Sequence, residues 1–222
     1  IFGIGRTKRR GLVLLNNKYC FVMSKISCGF FDAMAPKWDK IIEIKKDKIG
    51  HILDVAEIKE GDHVLDVGTG TGVLVPYMAD RIGPEGKIDA VDISTAMLER
   101  ANAKFGHLPN VRFMLADVEE DMLRDTYDCI MMYCMYPHLV TPYDTLEWLV
   151  KLNLNPGGKI VIAFPESKKG INGIHHHNDG SVHTNHLIDA SLFQTELAVR
   201  NLRVDYMEDN ENYYIVRITK DK

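Results

Sequence analysis

The run Val64-Leu65-Asp66-Val67-Gly68-Thr69-Gly70-Thr71-Gly72 most constrains what this chain can fold into. It joins an apolar, β-branched segment to an acidic residue and then to three glycines spaced two apart. The first part reads as a buried strand, and the glycines allow a tight turn in which backbone approaches a ligand with no Cβ in the way. A helix that follows such a turn offers free N–H groups at its start. A junction of this kind suits a nucleotide-like molecule. The dinucleotide fingerprint G-x-G-x-x-G is not met, because Val73 stands at its last position; the spacing is D-x-G-x-G-x-G.

Asp92, twenty residues beyond Gly72, ends a second buried strand, Lys87-Ile88-Asp89-Ala90-Val91-Asp92. In open α/β sheets a carboxylate at this strand end accepts hydrogen bonds from ribose hydroxyls. Asp92 is also placed to cap a helix beginning near Ser94 or Thr95, and the two roles can coexist. A third apolar run, Val111-Arg112-Phe113-Met114-Leu115, ends in Ala116-Asp117-Val118. A fourth, Tyr127-Asp128-Cys129-Ile130-Met131-Met132-Tyr133, ends at Cys134.

Between these runs the pattern alternates with helices. Ile41, Ile44, Ile49, Ile52, Leu53 and Ile58 recur at spacings that predict one amphipathic helix ahead of the first strand. Further helices are expected over 73–81, 95–105 and 142–152. Asn155-Pro156-Gly157-Gly158 turns into a fifth strand, Lys159 to Phe164. A long loop, a helix over 186–202 and a last strand, Tyr213 to Ile218, follow. Such alternation implies an α/β fold with a mostly parallel sheet and helices on both faces. With no internal repeat or linker, a single domain over 30–222 is expected. Lys8-Arg9-Arg10 precedes an apolar stretch of about five residues, short of the roughly 7 to 15 of a signal-peptide core. We expect Met23 to be the natural start, with residues 1–29 an N-terminal extension that is disordered or non-native before it.

The 222 residues, 45% hydrophobic, suffice for one domain with a full core. The net charge of −4 comes from 27 basic and 31 acidic residues mixed along the chain. No basic face stands out beyond Arg6 to Arg10, so a nucleic-acid partner is not suggested. No apolar run approaches the ~20 residues needed to span a bilayer. Cys20, Cys28, Cys129 and Cys134 form no C-x-x-C pair and read as reduced thiols of a cytoplasmic protein. The sequence carries no signal for an oligomeric state.

Taken together, these residues resemble the class I S-adenosylmethionine (SAM) dependent methyltransferases, whose motif I is the D-x-G-x-G-x-G loop. Phe31-Asp32-x-Met34-Ala35-x-x-Trp38-Asp39 is similar to the F-D-x-x-A-x-x-Y/W-D segment of the ubiquinone/menaquinone-biosynthesis type. Leu154-Asn155-Pro156-Gly157-Gly158-Lys159 looks like the L-K-P-G-G turn of small-molecule methyltransferases. The resemblance covers roughly 30–220. It implies a Rossmann-like, doubly wound seven-stranded sheet with an antiparallel C-terminal strand. It also implies SAM as methyl donor and a small-molecule acceptor. On this reading Asp66, Gly68, Thr69, Gly70 and Gly72 hold the methionine side, Asp92 the ribose, and Asp117 and Val118 the adenine, with Ile93, Met97 and Ala116 also binding the cofactor. The fourth strand, through Tyr133, faces the methyl. Phe31 and Trp38 are either a lid over the donor or packing for the first helix.

A sulfonium methyl is already activated, so a transferase of this kind needs alignment and exclusion of water more than catalytic groups. Where the acceptor must lose a proton, Tyr133-Cys134-Met135-Tyr136-Pro137-His138 supplies the candidates. His138 is either a base or an ordinary loop residue, while Tyr133 and Tyr136 read as pocket lining. The Asn/Asp-Pro-Pro-aromatic tetrad of amino-directed nucleic-acid and glutamine methyltransferases is absent. Five of the nine histidines, His175, His176, His177, His183 and His186, fall within twelve residues. Consecutive histidines do not converge on one ion from a regular element, so no resident metal is expected. A related methyltransferase group is similar around Glu166-Ser167-Lys168-Lys169-Gly170-Ile171-Asn172-Gly173-Ile174-His175, which makes Asn172 and His175 candidates for a substrate cover. Two alternatives are a metal- or tetrapyrrole-handling methyltransferase using the His175–His186 loop, and a SAM-binding protein without activity.

Overall fold

β1 (His63–Val67) forms where Val64, Leu65 and Val67 supply a buried apolar run, and the strands that pair with it follow the same logic. The computed structural model describes residues 27–176 and 182–222, so the expected start at Met23 lies outside the described residues. β2 (Lys87–Asp92), β3 (Val111–Leu115), β4 (Tyr127–Tyr133), β5 (Leu154–Phe164), β6 (Arg203–Asp209) and β7 (Tyr214–Thr219) join β1 in one seven-stranded sheet of order 3-2-1-4-5-7-6. β1 to β5 pair in parallel, while β7 runs antiparallel to both β5 and β6. The Rossmann-like sheet with a reversed C-terminal strand is therefore present. The strand order reverses between β1 and β4, and in doubly wound sheets the carboxyl ends beside that reversal open into a ligand crevice.

Side chains alternate across the sheet, giving two cores. Leu65, Val67, Ile130, Met132, Ile160, Ile162 and Val216 pack on one face with Leu146 of α6 (Pro142–Trp148) and Phe193 and Leu197 of α8 (Ala190–Val199). Val64, Met131, Val161 and Ile215 pack on the other. Their partners are Ile49, Ile52 and Leu53 of α3 (Lys46–Ala56), Met78 and Ile82 of α4 (Val75–Ile82), and Leu98 of α5 (Thr95–Phe105). α4 carries Pro76 in its first turn and stops at Gly83 with φ +64°. α5 starts at Ser94, whose Oγ accepts the Met97 N–H at 3.1 Å.

Three local expectations are corrected. The helix expected through Ile41 and Ile44 is broken: helical residues 27–34 (α1), a 3-10 turn (Ala35–Lys37) and α2 (Trp38–Ile41) end where Ile42 turns extended at φ −83°, ψ 137°. Ile41 and Ile44 are consequently exposed, and Ile49, Ile52 and Leu53, with Val55 and Ala56, make the buried face of α3. Lys168–His176, expected within a long loop, is a helix (α7), and β6 follows α8 where no strand was read. Packing contacts begin ahead of residue 30. Ser27 is buried and the Cys28 thiol donates to the Ile93 carbonyl at 3.2 Å, so both belong to the packed domain. Among the described residues no helix is long and apolar enough to cross a membrane.

Candidate functional site

A cavity of about 340 Å³ opens at the carboxyl ends of β1 to β4 and is roofed by α1, α2 and the extended segment after them. Its volume falls within the range of small-molecule sites. The glycine loop forms its floor. Gly68, Gly70 and Gly72 have φ of +69°, +55° and +82°, a conformation that strains any residue with a Cβ. The Gly68 and Thr69 N–H groups donate to the Val91 carbonyl at 2.9 and 3.0 Å, which ties the loop to β2. A Cβ on Gly68 would stand 2.9 Å from Met135, whereas one on Gly70 would meet only Trp38 Nε1 at 3.8 Å, across the cavity. Gly72 does not line the cavity; a Cβ there would strike the Phe105 ring at 2.9 Å, so this glycine seats the loop on α5.

Two carboxylates face this floor from the strand ends. Asp66 is 2% exposed and its Oδ2 has no hydrogen-bond partner among the described residues, nor does the neighbouring Thr69 hydroxyl. Burial pushes the Asp66 carboxyl up to about 7. Asp92 is better provided: Oδ2 accepts the Gly70 N–H and Oδ1 the Ser94 N–H, each at 2.8 Å. Burial still carries it up to about 6. Asp92 thus braces the glycine loop and the α5 start together, and an ionised carboxylate has lone pairs left for two hydroxyls. At the end of β3, Asp117 Oδ1 accepts the Glu119 N–H at 3.0 Å, and Ala116, Asp117 and Val118 all line the cavity with Ile93 and Met97.

Residues 64–158 match the family model described as a methyltransferase domain. That segment of the chain, from β1 to the turn inside β5, is similar to methyltransferase domains. It is 28% identical over 179 residues to a malonyl-[acyl-carrier protein] O-methyltransferase of Marinomonas sp., covering 78% of this chain and 65% of the relative. It is 30% identical to a ubiquinone/menaquinone biosynthesis C-methyltransferase of Idiomarina loihiensis, covering 60% of this chain and 56% of the relative. The chain thus spans about half to two thirds of the length of the curated relatives it matches. A SAM dependent methyltransferase from Aquifex aeolicus superposes with a TM-score of 0.67 at 25% identity, covering 83% of this chain and 97% of that one.

Phe31, Trp38, Tyr133 and His138 line the cavity as well. Phe31 meets Trp38 and His138 edge-on, with ring centroids 5.8 and 5.3 Å apart. Burial raises the Tyr133 phenol above its ordinary range. Cys134 holds a positive φ of 56°, sparsely populated for a residue with a Cβ, at the point where β4 delivers the chain to the cavity.

Two candidates sit elsewhere. Tyr136 turns into the core against Phe193, with centroids 5.3 Å apart, because the 3-10 turn Tyr136–His138 points it under α8. Asn172 spends both ends of its amide on one residue: Nδ2 donates to the Leu187 carbonyl and Oδ1 accepts the Leu187 N–H, each at 2.8 Å. It staples α7 to the segment before α8 and does not line the cavity. The His175 and His176 side chains and His177 lie outside the described residues, and among those described no group of three His, Cys, Asp or Glu is arranged to hold a metal.

Sequence reasoning passed over four residues of the site. Asp32 accepts from Ser94 Oγ at 2.6 Å and from the Ala96 N–H at 3.2 Å, capping α5 from across the chain. Asp39 accepts from Thr71 Oγ1 at 2.5 Å and from Lys104 Nζ at 3.1 Å. Both stand inside the F-D and W-D pairs, where attention to the aromatic partner hid the carboxylate. Glu119, buried and raised by that burial, accepts the Val140 and Thr141 N–H groups at 2.9 and 2.6 Å and so fixes the turn that carries His138. Ser27 is the fourth, at the very start of the described chain.

Proposed function

We propose that this protein transfers a methyl group from S-adenosylmethionine to a small-molecule acceptor. The observation that carries the reading is the unpartnered Asp66 Oδ2 in the cavity beside a glycine loop that presents bare backbone. A buried carboxylate oxygen without a partner is costly, and an ammonium group supplies what it lacks. The α-ammonium of the donor's methionine part meets Asp66, and the Gly68–Gly70 backbone leaves room for that part. Asp92 takes the ribose hydroxyls while keeping its hold on Gly70. Asp117, Ala116 and Val118 bound the adenine. The donor supplies an already activated methyl.

The chain's own work is then alignment and enclosure. Phe31 and Trp38 close the cavity over the loop and exclude water, which favours displacement by a held nucleophile over hydrolysis. Tyr133, Cys134 and His138 border the acceptor end. The acidic lining formed by Asp66, Asp92, Asp117 and Glu119 suits a cationic donor. Among the described residues Cys28, Cys129 and Cys134 are free thiols, which supports a cytoplasmic setting.

Calorimetry tests the donor site directly. Titration of the full chain with SAM should give saturable heat, with S-adenosylhomocysteine competing, and incubation of labelled SAM with a metabolite extract should label a small molecule. Absence of binding heat would overturn the reading.

A further inference from the structure

Three segments meet on the acceptor side of the cavity in a chain of contacts that the donor site does not require. The His183 N–H donates to Ser27 Oγ at 3.1 Å, and the His183 carbonyl lies 2.9 Å from His138 Nδ1. The His138 ring packs edge-on against Phe31. Ser27 and Phe31 are four residues apart on α1 and share one face of it, so a single helix face touches both ends of the His183–His138 pair. Ser27 is 2% exposed, and both Ser27 and His138 line the cavity.

A carbonyl oxygen only accepts, so the His138 nitrogen facing it must carry the proton. In a neutral imidazole the other nitrogen, Nε2, then holds the lone pair. The geometry points to His138 as the proton acceptor of the transfer, held as the Nδ1–H tautomer by the His183 carbonyl, with Ser27 as the positioning residue that makes this arrangement depend on α1. The inference rests on the methyl-transfer reading and narrows its acceptor to a neutral hydroxyl or amine. As a lone pair on that oxygen or nitrogen forms the new bond to carbon, the bond from carbon to sulfur breaks. Its electron pair stays on sulfur as a thioether, and the acceptor's proton passes to Nε2. An ionised carboxylate has no such proton to give, and the carboxylates lining the cavity repel it. Because α1 also roofs the cavity, the base is correctly oriented only when the roof is in place.

Nitrogen-15 NMR of the full chain reads the tautomer without any acceptor. Long-range proton–nitrogen spectra at about pH 8, where an unperturbed imidazole is neutral, should show His138, assigned by its loss in His138→Gln, biased about fivefold or more toward Nδ1–H. Ser27→Ala should abolish that bias, and Ser27→Thr, which keeps a hydroxyl, should restore it. A wild-type ring dominated by Nε2–H, or a bias unchanged in Ser27→Ala, would overturn the relay. Calorimetry with SAM on the same wild-type sample separates the two ideas. A missing heat signal overturns methyl transfer, whereas the tautomer result bears on the relay alone.

Discussion

Asp66 and Asp89 lie one register step apart on the paired strands β1 and β2, and both are almost inaccessible, at 2% and 3% exposure. Their side chains leave opposite faces of the sheet, since Asp89 pairs with Leu65 and Asp66 pairs with Ala90. Their environments differ in partners. Asp89 accepts from Arg112 Nε and Nη2 at 2.8 and 2.5 Å and from the Tyr127 hydroxyl at 2.9 Å, with His63 Nε2 at 3.3 Å. Burial opposes its charge, yet the nearby His63 ring and the bonds from Arg112 and Tyr127 hold it down at about 2. Asp66 has burial without those bonds and rises to about 7. Similar solvent exposure thus accompanies a saturated structural anion on one face and, on the other, a more deeply enclosed carboxylate with one oxygen still open to a ligand. The difference marks where the fold leaves work for a ligand.

Removing each carboxylate should separate the two roles. Asp89→Ala strands the Tyr127 hydroxyl and one side of Arg112. By analogy with broken buried pairs it should cost about 3 kcal/mol, lowering the melting temperature by roughly 10 °C. Asp66→Asn should leave stability unchanged or raise it, because a costly buried charge is removed, while weakening SAM by about 100-fold in calorimetry. If Asp66→Asn melts as low as Asp89→Ala and binds SAM normally, the contrast drawn here is wrong.

pH should move the two sites in opposite senses. Asp89 has a folded value below its unfolded one, so its contribution to stability is present above about pH 4 and is lost as pH falls toward 2. Asp66 and Asp92 are raised, to about 7 and about 6. Their contribution is full below about pH 4 and is lost as pH climbs through 6 to 7. The ligand-free protein should therefore unfold more easily at pH 8 than at pH 5. SAM affinity should run the other way, rising from pH 5 to 7 as the two carboxylates ionise and levelling above that. Calorimetry at several pH values, with buffers of different ionisation heat, should also detect proton release on binding below pH 7. Flat affinity from pH 5 to 8 would separate Asp66 from the donor.

The sheet from β1 to β5 and the strand-end residues that line the cavity were legible because their signals are local. Val64 to Gly72 encodes strand and turn in nine consecutive residues, and Asp92 and Asp117 follow at strand ends. What escaped notice depends on tertiary contacts. β6 carries Asp205, Glu208 and Asp209 along a half-buried strand at the sheet's edge, which blurs its alternation. The break at Ile42 keeps a helical spacing of isoleucines on both sides, so periodicity ran straight across it. Tyr136 and Asn172 look like pocket residues by position, and only the packing of Phe193 and the backbone of Leu187 shows otherwise. Ser27 and His183 meet across 156 positions, which no spacing rule reaches.

The smallest expected effect sharpens the contrast most finely, because it concerns carboxylates that are partnered and still serve the ligand side. Asp32 and Asp39 fasten the roof to the glycine loop and to α5 through Ser94, Ala96, Thr71 and Lys104. Asp39 is 42% exposed at its side chain, so its ion pair with Lys104 contributes on the order of 0.5 kcal/mol. Asp32 acts as a cap and is worth about 1 kcal/mol. Asp39→Ala should thus shift the melting temperature by about 2 °C at most. It should nonetheless free Trp38, whose Nε1 faces Gly70, and speed SAM dissociation several-fold in stopped-flow fluorescence. Asp32→Ala should act in the same direction, with some loss of stability at the α5 start. Were dissociation unchanged in both variants while melting fell, these carboxylates would belong with Asp89 as structural anions, and the roof would not control access to the donor.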